Sequence, residues 1–147
     1  MDLVRRAAGL FDQVIVAVAA TVDADKRHSF ALDERVEMVT AACADMANVT
    51  VESFDGLLVD YCRQHGAVAI VKGLRTAGDM AYEMQMQAVN ADLAPEIETV
   101  FVLASAQYAH MSSSMIKWLN QLGADVSSYV PASVAARLSS ITKRQAD

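Results

Sequence analysis

The chain has 147 residues, one domain's length, and its 54% apolar content against 20% charged residues provides for a large core and excludes intrinsic disorder. Twelve Lys and Arg against eighteen Asp and Glu leave a net charge of -6, which excludes a general nucleic-acid or anionic-membrane surface and makes any phosphate site local. Two cysteines, Cys43 and Cys62, without a CxxC pair argue against a disulfide framework or a zinc site.

In chain order, residues 2–10 read as the end of an amphipathic helix. Gln13 to Ala20 is a continuous, partly β-branched apolar run, the pattern of a strand buried on both faces in a parallel sheet. Residues 21–31 form a polar loop. Leu32 to Met46 repeats apolar residues at helical spacing, with Asp33 and Glu34 in the first turn, where the helix dipole favours them. A strand over 48–53 and a helix over 57–65 follow, the helix ended by Gly66 as its C′ residue. Ala67 to Val71 reads as another buried strand, 72–78 as a glycine-containing turn, 79–93 as a long helix, 97–104 as a strand and 112–122 as a helix. Pro131 opens the last helix, at the position where proline is tolerated. No apolar run reaches the length of a membrane span, and the first residues, Met-Asp-Leu-Val-Arg-Arg, lack a signal peptide's order of charge and apolarity. A soluble, cytoplasmic, single-domain protein is expected.

Strands alternating with helices predict a doubly wound α/β fold with a parallel sheet. Ligands in such folds sit beyond the carboxyl ends of the strands, which directs attention to the loops 21–31, 72–78 and 105–112. Lys72 and Arg75 put two cations beside a strand end in an acidic protein, with Gly73 and Gly78 permitting tight turns and close backbone approach. They suit a phosphate, or they are two solvated surface cations. Ser112, Ser113 and Ser114 head a helix, so their N–H groups and hydroxyls suit phosphate oxygens, or they serve as a plain N-cap. Together the two clusters suggest a nucleotide. Glu83 could accept from an adenine amino group or a ribose, or be a solvated carboxylate. Met80, Met84 and Met86 read as packing or oligomer-contact residues, because they are too widely spread around the helix to face one core. Of the scattered histidines, only His110 lies near the serines.

Lys72-Gly-Leu-Arg-Thr, then Tyr82-Glu-Met-Gln-Met86 with Asn90, Ser112-Ser-Ser114 heading a helix, and earlier Phe30-x-Leu-x-Glu-Arg35, resemble the phosphopantetheine adenylyltransferases, of the nucleotidyltransferase α/β superfamily. The resemblance runs in order over nearly the whole chain. The Gly-Leu-Arg turn and the Tyr-Glu-x-Gln motif argue against other superfamily members, such as nicotinate-mononucleotide adenylyltransferases and cytidylyltransferases. What the resemblance implies is transfer of AMP from ATP to 4′-phosphopantetheine, giving dephospho-coenzyme A and pyrophosphate, with Mg2+ on the nucleotide. It also implies a homo-oligomer, a hexamer by the family, with neither nucleic acid nor membrane as partner. By the same resemblance Lys72 would hold the pantetheine phosphate, and Leu58 would line the pantetheine arm. Gly73, Leu74, Arg75 and Glu83 would contact ATP, and Tyr108, Ala109, His110, Met111, Ser112, Ser113 and Ser114 would form its adenine and phosphate cradle. In the loop 21–31 Lys26 would reach the phosphates, with Arg27 as the alternate.

Two departures accompany the resemblance. The family begins with a strand and the segment P-G-[ST]-F-D-P-x-[TH]-x-G-H, and Met1 aligns with the residue after its histidine, so no catalytic residue is assigned within the chain. Three explanations stand side by side: a start set too far downstream, a shortened paralogue that binds nucleotide without turnover, and a separate partner that completes the sheet. The chain by itself is expected to leave the strands 13–20 and 67–71 without the strand between them, and to be unstable or inactive. The second departure is local: Ala109 stands where the family usually has serine, and His110 where an aromatic is common, which alters the adenine pocket.

Overall fold

The computed structural model describes residues 1–20 and 28–146. Its elements are α1 (Asp2–Ala8), β1 (Val14–Ala19), α2 (Leu32–Cys43), β2 (Val49–Phe54), α3 (Leu58–Gln64), β3 (Ala69–Leu74), α4 (Ala77–Leu93), β4 (Glu98–Leu103), α5 (Ser113–Gln121) and α6 (Ala132–Ala146), with a short 3-10 turn at Ala106–Tyr108. The alternation of strand and helix is that of the α/β class, and all strand pairing is parallel. Among the described residues no helix is long and apolar enough to cross a membrane.

The strands form two separate pairs, β1 with β2 and β3 with β4. Val14 donates to Asn48 O and Ala20 to Phe54 O, so the even residues of β1 face β2. Ile15, Ala17 and Ala19 therefore turn their backbone groups the other way. In β3, Val68 O and Leu74 O accept from the β4 side, which turns Ala69, Val71 and Gly73 away from it. Between these two inner edges runs a cleft of about 560 Å3, lined by consecutive residues of β1 and β3 and floored by Leu3, Val4 and Ala7 of α1 and by Leu58, Tyr61 and Cys62 of α3. Consecutive residues line a strand's edge, whereas alternate residues line its face. The expected want of a strand between the two inner strands is thus met by the cleft. It also corrects the expectation that 13–20 is buried on both faces: β1 is only half-buried throughout, because its inner edge borders open space.

The boundary of β3 is a second correction. Lys72, Gly73 and Leu74 are not a turn but the end of the strand, in register with Phe101, Val102 and Leu103. Gly73 serves close approach rather than turning, since a Cβ there would come within 3.1 Å of Leu3 Cδ2. Gly78 likewise lies in the first turn of α4, not in a loop. At the end of α3, Gly66 takes the left-handed conformation (φ +62°) expected of a C′ residue. Two apolar clusters hold the elements: Val59, Cys62, Ile70, Ala94 and Ile97 under α3 and β3, and Ile116, Val126 and Leu138 between α5 and α6.

Candidate active site

A cavity of about 660 Å3 opens at the carboxyl ends of β3 and β4, lined by Gly73, Arg75, Val102 to Ala104, Tyr108 and Met111, by Asp2, Arg5 and Arg6 of α1, and by Ser128 to Ala132. Two of the three expected loops meet here. Arg75 Nη1 donates to Met111 O at 2.8 Å and so ties the end of β3 to the segment 105–112. The guanidinium is otherwise engaged by Asp79: Nε donates to Oδ2 at 2.9 Å and Nη2 to Oδ1 at 3.2 Å. These bonds hold the Asp79 carboxyl below the usual carboxylate range. Opposite them, Asp2 receives the Ser105 hydroxyl at 2.9 Å, and that hydrogen bond lowers its pKa.

Lys72 and Leu58 line the other space, the cleft between the strand pairs. Lys72 Nζ stands 3.1 Å from Glu83 Oε2, an ion pair whose direction is not that of a hydrogen bond; that oxygen is buried and accepts no hydrogen bond among the described residues. Lys72 is therefore a half-buried, paired cation and Arg75 an exposed cation paired with Asp79, and Glu83, its side chain 20% exposed, is not a solvated carboxylate. Asp79 and Glu83 lie one helical turn apart on α4, each facing one of the two cations.

Ser112 is an N-cap, its hydroxyl accepting from the Met115 N–H at 3.1 Å. Ser113 and Ser114 begin α5 with exposed side chains, and none of the three serines lines either cavity. Glu83 also lies outside both linings, and the residues expected to meet the ligands are divided: Gly73 and Arg75 at one space, Lys72 and Leu58 at the other. Leu74 is buried in the strand, Tyr108 and His110 are exposed, and Ala109 is half-buried. Lys26 and Arg27 lie outside the described residues. The residues that sequence reasoning missed are Asp79, Asp2 and Arg6. Asp79 lies in the first turn of α4, four residues after Arg75, which precedes the helix, so their pairing depends on where that helix begins; nothing in the sequence marks α1 as a wall of the cavity.

A family model described as cytidylyltransferase-like matches residues 1–118. A phosphopantetheine adenylyltransferase of Heliobacterium modesticaldum is 50% identical over 94% of the chain and 81% of its own length. The chain belongs to the phosphopantetheine adenylyltransferase family. A family member from Thiobacillus denitrificans is 49% identical over 94% of the chain and 85% of its own length, and one from Caldanaerobacter subterraneus is 44% identical over the same shares. Membership of this adenylyltransferase family makes the chain kin to enzymes and agrees with the α/β fold and the strand-end cavity.

Proposed function

We propose that the chain transfers the adenylyl group of ATP to 4′-phosphopantetheine, releasing pyrophosphate and forming dephospho-coenzyme A. The observation that carries this reading is the Arg75 clamp, which joins β3 to the segment 105–112 at the mouth of the 660 Å3 cavity. A phosphate oxygen of phosphopantetheine attacks the α-phosphorus of ATP in line with the leaving group. The new P–O bond forms as the bond to the bridging α,β-oxygen breaks, and pyrophosphate departs with the electron pair. No enzyme nucleophile is needed, and catalysis rests on positioning and charge. In this reading Arg75, Gly73 and Leu74 with the segment 108–114 hold ATP, Lys72 and Leu58 hold phosphopantetheine between the strand pairs, and Glu83 steadies Lys72 through their ion pair. Mg2+ enters in this reading as part of the substrate, carried on the phosphates of ATP. The same reading puts the protein in the cytoplasm, where its two buried free thiols, Cys43 and Cys62, suit reducing conditions.

The cleft between β1 and β3 favours a second reading, binding of nucleotide without turnover, because a sheet in two halves does not hold the β3 end, with Lys72 and Arg75, in fixed relation to the carboxyl end of β1. Calorimetric titration with each ligand, alongside an assay for pyrophosphate and dephospho-coenzyme A, separates the two. A charge-assisted hydrogen bond to phosphate is worth about 1.5–3 kcal/mol, so Arg75→Ala is expected to weaken ATP about ten- to a hundredfold and leave phosphopantetheine nearly unchanged, with Lys72→Ala doing the reverse. Equal effects of both variants on both ligands overturn the assignment; ATP binding without product selects the second reading.

A further inference from the structure

Arg75 is held where it is by one carboxylate. Asp79 Oδ2 accepts from the backbone N–H of Arg75 at 3.1 Å and from its Nε at 2.9 Å, while Oδ1 accepts from Nη2 at 3.2 Å. Three donors of one residue thus end on a single side chain. Asp79 is itself anchored, for its N–H donates to Thr76 Oγ1, the N-cap of α4, at 3.1 Å. It sits in the first turn of that helix, where the dipole favours its charge. The Asp79 side chain is 24% exposed against 41% for Arg75, so the acid lies behind the cation. The remaining edge of the guanidinium, through Nη1, reaches over to Met111 O at the cavity.

We propose that Asp79 is a positioning residue that presets the Arg75 guanidinium for the ATP phosphates, a proposal that rests on the reading of Arg75 as an ATP contact. Arginine is a long side chain that loses much rotamer freedom when it is fixed. With Asp79 behind it, that ordering is complete before the nucleotide arrives, and binding does not have to supply it. A carboxylate near a cation can also act in the opposite sense, as a competitor that phosphate must displace. The geometry separates the two roles. Asp79 grips the backbone of Arg75 as well as its side chain and is tied to the helix cap, so it has no reason to leave, and the Nη1 edge points away from it.

The test is a double-mutant cycle on the full chain with Asp79→Asn, which keeps the size of the side chain and its N–H but removes the charge. Asp79→Asn is expected to weaken ATP binding about tenfold in calorimetry, to leave 4′-phosphopantetheine binding unchanged, and to add no further loss in an Arg75→Ala background. Tighter or unchanged ATP binding by Asp79→Asn overturns the proposal, and so does a loss that persists in the Arg75→Ala background, since that effect would not pass through Arg75. Nitrogen-15 spectra of the arginine Nε–H groups give a readout without ligand. The Arg75 signal is expected to be distinct and slowly exchanging in the wild-type chain and to merge with those of free arginines in Asp79→Asn. An unchanged Arg75 signal overturns the proposal even if the wild-type chain binds no ATP, an outcome that would overturn the functional reading and leave the spectrum to decide the role of Asp79.

Discussion

Tyr61 lies between Phe54 and His65, with ring centroids 5.2 Å and 4.1 Å away, and its hydroxyl donates to Glu52 Oε2 at 2.9 Å. Burial first, and then the bond to Glu52, pushes its pKa from the ordinary 10 up to about 12. The folded state thus keeps a proton that the unfolded state gives up. The stability linked to this group is complete below about pH 10 and is lost as the pH rises toward 12. Ultraviolet titration of the four tyrosines is expected to show one late step near pH 12, and Tyr61→Phe to remove it. A late step that survives in the variant assigns it to another residue. Nothing in the sequence announced this group, since Glu52, Tyr61 and His65 come together only when β2 and α3 pack. Lys72 and Arg75 were legible because two cations stood out against an acidic composition and followed a strand. Their carboxylate partners were not read as such, because the meeting of Arg75 with Asp79 and of Lys72 with Glu83 depends on where β3 ends and α4 begins.

At the scale of the element, α6 is held by two kinds of contact, ion pairs to α2 and apolar packing against α5 and the segment after it. Arg137 donates to Glu34 Oε1 at 2.9 Å and to Glu37 Oε2 at 2.8 Å, with its side chain 42% exposed. Leu138 beside it is 5% exposed and packed with Ile116 and Val126. Exposed ion pairs contribute roughly 0.2–1 kcal/mol each, whereas truncating a buried leucine costs about 2–5 kcal/mol, so the leucine decides whether α6 stays docked. In urea unfolding Leu138→Ala is expected to lower stability severalfold more than Arg137→Ala. The reverse order would mean that charge, not packing, seats the helix. The ends of the elements were the part least legible in the sequence. The reading stopped β3 at Val71 because Lys72 and Gly73 are poor strand formers, yet pairing with Phe101 and Val102 carries the strand on to Leu74. Where caps were written in the side chains, as at Gly66 and Ser112, the sequence had placed them correctly.

For the whole molecule, α4 presents Tyr82, Met86, Val89 and Leu93 at helical spacing, with exposures of 50%, 38%, 51% and 46%. The spacing i, i+4, i+7, i+11 gathers them into one apolar stripe, with Met80 and Met84, also exposed, on the opposite side. Such a surface suits contact between copies of the chain, and self-association through the stripe is expected. Light scattering should give a multiple of the monomer mass at micromolar concentration, and Val89→Asp, which sets a charge within the stripe, should return the monomer. A monomeric wild-type chain would defeat the expectation. The sequence pointed to oligomer contacts through the methionines and passed over the stripe, three of whose four residues are not methionine. The α/β class was legible from the alternation of elements, while the split into two strand pairs had no signal in the chain's own pattern and followed only from the family resemblance. That split leaves a mark on each inner strand. Val14 and Val16 are tied to β2, while Ile15 and Ala17 face the cleft, and across it Ile70 is tied to β4 while Ala69 and Val71 are not. Hydrogen exchange along β1 and β3 must then alternate residue by residue, one amide held by the ladder and the next open to deuterium, a beat of two in strands whose counterparts in a continuous sheet would be protected at every position.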